Sequence, residues 1–173
     1  MPKKIIVTGG CGFIGSELIR KLLREKDYFV FNIDKKDIKE NNENIERLFN
    51  KDISYKHRYQ FYNCDICEFK LLKKIIIGIK PDMIINLAAE THVDRSIDNP
   101  KLFIDSNVIG TFNLIEITRD YLKYNATENF KLIHISTDEV FGSLSENGKF
   151  NENSRYQPNS PYSASKACSD HLV

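Results

Sequence analysis

The chain has 173 residues, 41% hydrophobic, 28% charged and 11% aromatic, the size and make-up of one ordinary globular domain able to bury a core without staples. That composition excludes a collagen, a disordered tail and a disulfide knot. With 25 basic against 24 acidic residues the net charge is +1, so no broad basic field exists to draw in nucleic acid.

Short apolar runs alternate with amphipathic stretches, the pattern of βαβ units around a parallel sheet. The first strand is Lys4 to Thr8, stopping at Gly9-Gly10. A helix follows from about Phe13 to Lys26, with Ile14, Leu18, Ile19, Leu22 and Leu23 on one face. The second strand is Phe29 to Ile33, ending at Asp34. The Asn/Lys-rich segment from Lys35 to Tyr59 contains at most a short helix near Ile45 to Asn50. The third strand is Gln60 to Asn63 and a helix runs from about Glu68 to Ile79; after Pro81-Asp82 the fourth strand is Met83 to Leu87. A long helix fits Lys101 to Tyr124, its apolar positions 104, 108, 112, 115 and 122 most simply serving core packing. Phe130 to Ser136 is the fifth strand, Gly142 to Pro161 a polar loop, and a last helix starts near Tyr162. Together these elements predict an α/β, Rossmann-like, doubly wound parallel sheet with helices on both faces.

Gly9-Gly10-Cys11-Gly12-Phe13-Ile14-Gly15 joins the first strand to the first helix. Glycines there permit a tight turn and bring backbone N–H groups against a pyrophosphate at the helix N-terminus. Asp34 lies nineteen residues past Gly15 at the end of the second strand, placed to accept hydrogen bonds from ribose hydroxyls and to repel a 2′-phosphate, which favours NAD over NADP. Asp65-Ile66 after the third strand has two readings, a contact to the adenine end of a cofactor or an N-cap of the helix beginning near Cys67. Leu87-Ala88-Ala89 supplies small residues where backbone can approach a cofactor closely.

Tyr162 and Lys166 stand four apart at the start of the last helix, so both lie on one face. An ammonium beside a phenol favours the phenolate and lowers its pKa, which suits removal of a hydroxyl proton from an alcohol being oxidised. Ser136-Thr137, ending the fifth strand, offers hydroxyls to the same substrate oxygen. Asp138-Glu139 places two carboxyls together, apt for an elimination needing both a base and an acid.

The chain resembles the extended short-chain dehydrogenases/reductases through residues 8–15 and the Tyr162/Lys166 pair. Within that superfamily it most resembles the nucleotide-sugar 4,6-dehydratases, on Ala88 to Ile97, Ser136 to Gly142, and Ser160 to Lys166 with Ser169 to Val173. The resemblance implies that a nucleoside-diphosphate glucose, with dTDP-glucose favoured and UDP-glucose possible, is oxidised at C4, loses water across C5 and C6, and receives hydride at C6 to give the 4-keto-6-deoxy sugar. It implies Glu139 as the base and Asp138 as the acid, Thr137 on the C4 oxygen beside Tyr162 and Lys166, and His92 as a substrate contact. It implies cofactor contacts at Gly9, Gly12, Phe13, Ile14, Gly15, Asp34, Lys35, Asp65, Ile66, Leu87, Ala88, Ala89, Thr91, Ser106, Tyr162 and Lys166. A homodimer is implied as well. Two alternatives stay open: a C4 epimerase or decarboxylase of the same superfamily, and a non-catalytic NAD-binding module.

Three features depart from the family pattern. Phe141 stands where a Tyr is usual, Lys35 to Glu40 replaces a Thr-Tyr-Ala-Gly-Asn-like run, and the loop from Leu144 to Asn159 looks shortened. Cys64 and Cys67 have a metal-like spacing, but zinc wants two more ligands and Cys11 and Cys168 are not arranged to supply them, so no metal is expected. The cysteine spacing is not that of a secreted framework, the N-terminal apolar run is too short for a signal peptide, and no stretch approaches ~20 apolar residues. The chain therefore reads as cytoplasmic with reduced thiols. Val173 falls twelve residues into the last helix without a stop signal, so the chain is expected to be the N-terminal part of a longer enzyme, its substrate domain absent and the fragment inactive alone.

Overall fold

The computed structural model describes residues 2–25, 27–35, 49, 53–125, 129–144 and 148–173. Five parallel strands form one sheet: β1 (Lys3–Thr8), β2 (Tyr28–Asp34), β3 (Tyr59–Asn63), β4 (Met83–Asn86) and β5 (Lys131–His134). Their spatial order is β3-β2-β1-β4-β5. The chain thus winds outward from β1 to one side, then returns to β1 and winds to the other. Carboxyl ends of strands at such a reversal splay apart and leave a crevice, and it falls here between β1 and β4.

Alternation along β1 divides the interior between the two faces of the sheet. Ile5 and Val7 pack with Ile19, Leu23, Val30 and Ile85, Ile19 and Leu23 coming from helix α1 (Phe13–Arg24). Ile6 packs on the other face with Ile33, Leu72, Ile76, Ile84, Leu114 and Ile117. Leu72 and Ile76 belong to α2 (Phe69–Ile79), Leu114 and Ile117 to a later helix, Thr111–Tyr124. Ile14, expected on the buried face of α1, is instead 63% exposed, because the first turn of α1 projects past the strand ends, where no sheet remains to cover it. The short helix expected near Ile45 to Asn50 lies, but for Phe49, outside the described residues.

The long helix expected over 101–124 is three pieces wound end to end: α4 (Pro100–Phe103), a π-helical stretch Ile104–Gly110, and α5 (Thr111–Tyr124). It is preceded by the short α3 (Val93–Asp98). The apolar face expected there is not the buried one. Ile104 and Phe112 are exposed, and the buried positions include Ser106, Asn107, Gly110, Thr111 and Asn113. The reason is the neighbour: α6 (Pro161–Leu172) packs here through its own small residues Ser165 and Ser169. Ser169 Oγ donates to the Asn107 carbonyl at 2.6 Å, and a side chain inserted into the helical ladder is a recognised cause of irregular winding. Ser160 starts α6 with a reciprocal capping arrangement to Ser163, which fixes where Tyr162 enters the helix.

Candidate active site

A cleft of about 740 Å³ opens at the carboxyl ends of the strands, across the β1/β4 reversal. Every cofactor-contact position named from the sequence lines it, from Gly9 through Asp34, Asp65 and Ala88 to Ser106, Tyr162 and Lys166. His92 and Thr137 line it too. Asp138 and Glu139 do not; they sit in a single 3-10 turn, Asp138–Phe141, beside it.

At one end the cleft is made by backbone. Gly9 has a φ of 69°, and a Cβ there would stand 2.6 Å from the Ala88 nitrogen, so only glycine fits without strain. A Cβ on Gly15 would stand 2.3 Å from the Gly9 carbonyl oxygen, which draws the start of α1 tightly against the loop. Gly12 caps α1 without any side-chain hydrogen bond and the first turn carries no acidic residue. The leading N–H groups of α1 and its positive dipole end are therefore available to an anion in the cleft.

Asp34 Oδ2 accepts from the Cys11 N–H at 2.8 Å, tying the end of β2 to the glycine loop. Burial raises its pKa, against the backbone bonds that lower it. Burial and the Asp34 charge together push the Cys11 thiol up to about 11. Lys35 Nζ donates to Glu90 Oε1 at 2.8 Å and lies 4.0 Å from Asp65 Oδ2. Asp65 borders the cleft, and its Oδ1 accepts from the Cys67 N–H at 2.9 Å, but it is not the N-cap of α2, a position that Glu68 holds. The helix itself starts at Phe69, one residue past the expected Glu68.

The other end is made by buried side chains. Tyr162, 7% exposed, is hydrogen-bonded to the Thr137 side chain. Thr137 also caps the 3-10 turn by accepting from the Glu139 N–H at 3.3 Å. Lys166, 4% exposed, donates from Nζ to the Ile135 carbonyl at 2.6 Å and stands 3.3 Å from His134 Nε2. The expected lowering of the Tyr162 pKa is not what this geometry produces. Burial raises it, the Thr137 bond lowers it, and the charges of Glu139 and Asp138 raise it again. The ammonium is turned to Ile135 and His134 rather than to the phenol, and burial lowers the Lys166 pKa while Asp170 raises it.

Several residues of this end were not singled out from the sequence. Asn107 is 1% exposed; its Oδ1 accepts from Glu90 N–H at 2.8 Å, and its Nδ2 donates to Glu90 O at 3.0 Å and to Ser165 Oγ at 2.9 Å. It thereby ties the end of β4 to the Tyr-bearing helix. Asn86, His134 and Asp170 form a second chain of polar groups behind Lys166. The available signal was polar residues at positions that periodicity makes internal.

Comparison with known proteins agrees with this geometry. A family model described as GDP-mannose 4,6 dehydratase matches residues 6–173. The dTDP-glucose 4,6-dehydratase of Salmonella typhimurium is 44% identical over 98% of this chain and 49% of its own length. That of Neisseria meningitidis is 44% identical over 99% and 48%. Among solved structures, Streptomyces venezuelae DesIV, a dTDP-glucose 4,6-dehydratase with NAD and TYD bound, superposes with a TM-score of 0.82 at 36% identity, covering 98% of this chain and 50% of that one. The UDP-Glc/GlcNAc 4-epimerase of Campylobacter jejuni gives 0.83 at 29% identity, covering 98% and 47%. The chain spans about half the length of the curated relatives it matches. With the whole of the glycine loop, the cleft and the Tyr162/Lys166 helix inside the matched span, the chain belongs to the GDP-mannose 4,6-dehydratase family, the nucleotide-sugar 4,6-dehydratases of the extended short-chain dehydrogenase/reductase superfamily.

Proposed function

We propose that this chain carries the cofactor-binding and catalytic part of an NAD-dependent dTDP-glucose 4,6-dehydratase. The observation that carries the reading is the joining of Tyr162 to Thr137, and of Thr137 to the Asp138–Glu139 turn, at the end of the cleft. The residues present fit NAD. The glycine cradle that a Cβ would fill and the uncapped start of α1 suit a pyrophosphate; Asp34 suits ribose hydroxyls and disfavours a 2′-phosphate. When bound, NAD supplies a hydride acceptor that later becomes the donor.

Tyr162, as its phenolate, takes the proton from the C4 hydroxyl, and Thr137 holds the same oxygen. Lys166, bordering the cleft, offers its remaining ammonium N–H groups to the bound ligand. The 4-keto sugar so formed has an acidified C5–H. Glu139 removes that proton and Asp138 protonates the C6 oxygen, which leaves as water. His92, exposed at the cleft mouth ahead of α3, contacts the substrate.

Incubation of the protein, read through to its stop codon, with NAD and either dTDP-glucose or UDP-glucose tests this. Loss of one water from dTDP-glucose supports it, and faster loss from UDP-glucose would move the nucleotide. Inversion at C4 without mass change would instead support an epimerase, the reading that the Campylobacter jejuni neighbour favours; an epimerase has no use for Asp138 and Glu139. The same proposal includes a homodimer, supported by the exposed apolar side chains Ile97, Leu102, Ile109 and Phe112 along α3 to α5 and read by sedimentation. A cytoplasmic location belongs to it too, since the chemistry uses cytoplasmic metabolites. No helix among the described residues is long and apolar enough to cross a membrane.

A further inference from the structure

Behind Lys166 a chain of buried polar groups runs from β1 to α6, and its hydrogen bonds fix a tautomer. Thr8 Oγ1 accepts from the Ala88 N–H at 3.3 Å and donates its single proton to the Asn86 side-chain oxygen, 2.6 Å away. That orients the amide. Asn86 Nδ2 is then the donor to Thr111 Oγ1 at 3.3 Å and to His134 Nδ1 at 3.1 Å. His134 Nδ1 must be the unprotonated nitrogen, and a neutral ring carries its proton on Nε2. Nε2 faces two groups, Lys166 Nζ at 3.3 Å and Asp170 Oδ1 at 3.5 Å. An N–H cannot donate to an ammonium, so the acceptor it faces is Asp170 Oδ1, a buried oxygen with no hydrogen-bond partner among the described residues. Asp170 Oδ2 is held by Ser136 Oγ and by Tyr156 OH, the latter at 3.0 Å.

We propose that His134, held as its Nε2–H tautomer by Thr8 and Asn86 and faced by Asp170, is a positioning residue for Lys166. It presents the ammonium with a donor instead of an acceptor. Ile135 O remains as the protein acceptor of the ammonium, and two of its three N–H groups are left for the cleft. Asp170 supplies the negative charge that keeps lysine and ring compatible. This rests on the reading of Tyr162 and Lys166 as the catalytic pair. The titratable and charged groups around Lys166 are His134 from β5, Tyr162 and Asp170 from its own helix, Tyr156 against Asp170, and Asp138 and Glu139 from the 3-10 turn against Tyr162. Burial and the Lys166 charge hold the His134 pKa down at about 4, against the Asp170 charge that raises it.

The test is nitrogen NMR on the whole encoded protein with labelled histidine and lysine, His134 being assigned by the resonance that His134→Phe removes. A protonated Nε2 and a bare Nδ1 from about pH 5 to about pH 8 are expected; a protonated Nδ1 overturns the proposal. Asp170→Asn should lower the Lys166 titration by about one unit and move the alkaline limb of turnover down with it. An unmoved titration overturns the role of Asp170. His134→Phe should lower kcat about tenfold with KM unchanged, and His134→Gln, whose amide N–H replaces Nε2–H, should restore most of it. Equal kcat in His134→Phe and wild type overturns the positioning role. The spectra need no sugar nucleotide, so they decide the arrangement separately: absence of turnover with every sugar nucleotide overturns the catalytic reading and hence the role, while the tautomer stands or falls on the spectrum.

Discussion

The two ends of the cleft are built from different materials. The glycine-loop end is backbone: a turn at positive φ, a helix start pressed against a carbonyl, and one carboxylate, Asp34, tied to the loop by the Cys11 N–H. The Tyr162 end is side chains: Asn86, His134 and Lys166 are bonded across β4, β5 and α6, and Asn107 and Ser165 across the π-helical stretch and α6. A backbone cradle recognises a feature shared by many ligands and admits almost no substitution. A side-chain network sets the chemistry and can be retuned one bond at a time, which accords with dehydratases and epimerases sharing this architecture at TM-scores near 0.8.

Substitutions can sharpen or break that contrast. The largest effect belongs to Tyr162→Phe, which should lower kcat about 10²–10⁴-fold with the fold intact; steady-state kinetics beside a denaturation curve would show it, and retained turnover would remove Tyr162 from the chemistry. Gly15→Ala should act on fold and cleft together, costing about 3 kcal/mol in chemical denaturation because its Cβ meets backbone, the Gly9 carbonyl and the Gly10 Cα, and no flexible side chain. Asn107→Ala leaves the Glu90 N–H and its other partners unmatched and should cost about 2 kcal/mol; a neutral result would mean that the network does not bind α6 to β4.

Acid should act on the same end. The His134 pKa is lowered in the folded chain to about 4 against an ordinary 6.5, so between those values the unfolded chain binds the extra proton. Stability therefore rises with pH across that window, and acidification below about 6.5 erodes it, the loss being complete by about 4. His134→Gln should flatten this part of a stability-against-pH curve. The smallest effect is expected from Ser160→Ala, which removes the cap of α6 and should cost about 1 kcal/mol.

Much of the backbone end was legible from the residues in order. The strands, the glycine loop and Asp34 fall within a residue or two of expectation, because buried parallel strands are short apolar runs and their punctuation is glycine. The helix over 101–124 shows where such reading fails. Periodicity chose its apolar face, but Ile104 and Phe112 lie outward and Asn107 inward. Burial there is set by the serines of α6, more than fifty residues away along the chain. The glycine loop, the helix-start pair Tyr162 and Lys166, and the adjacent Asp138 and Glu139 are determined by local sequence, since each depends on spacing within one element or turn. The direction of the Lys166 ammonium, the raised rather than lowered Tyr162 pKa and the tautomer of His134 were decided only by the tertiary structure. They depend on which carbonyl, carboxylate or amide from β1, β4 or β5 reaches the same few ångströms, and no local pattern records that.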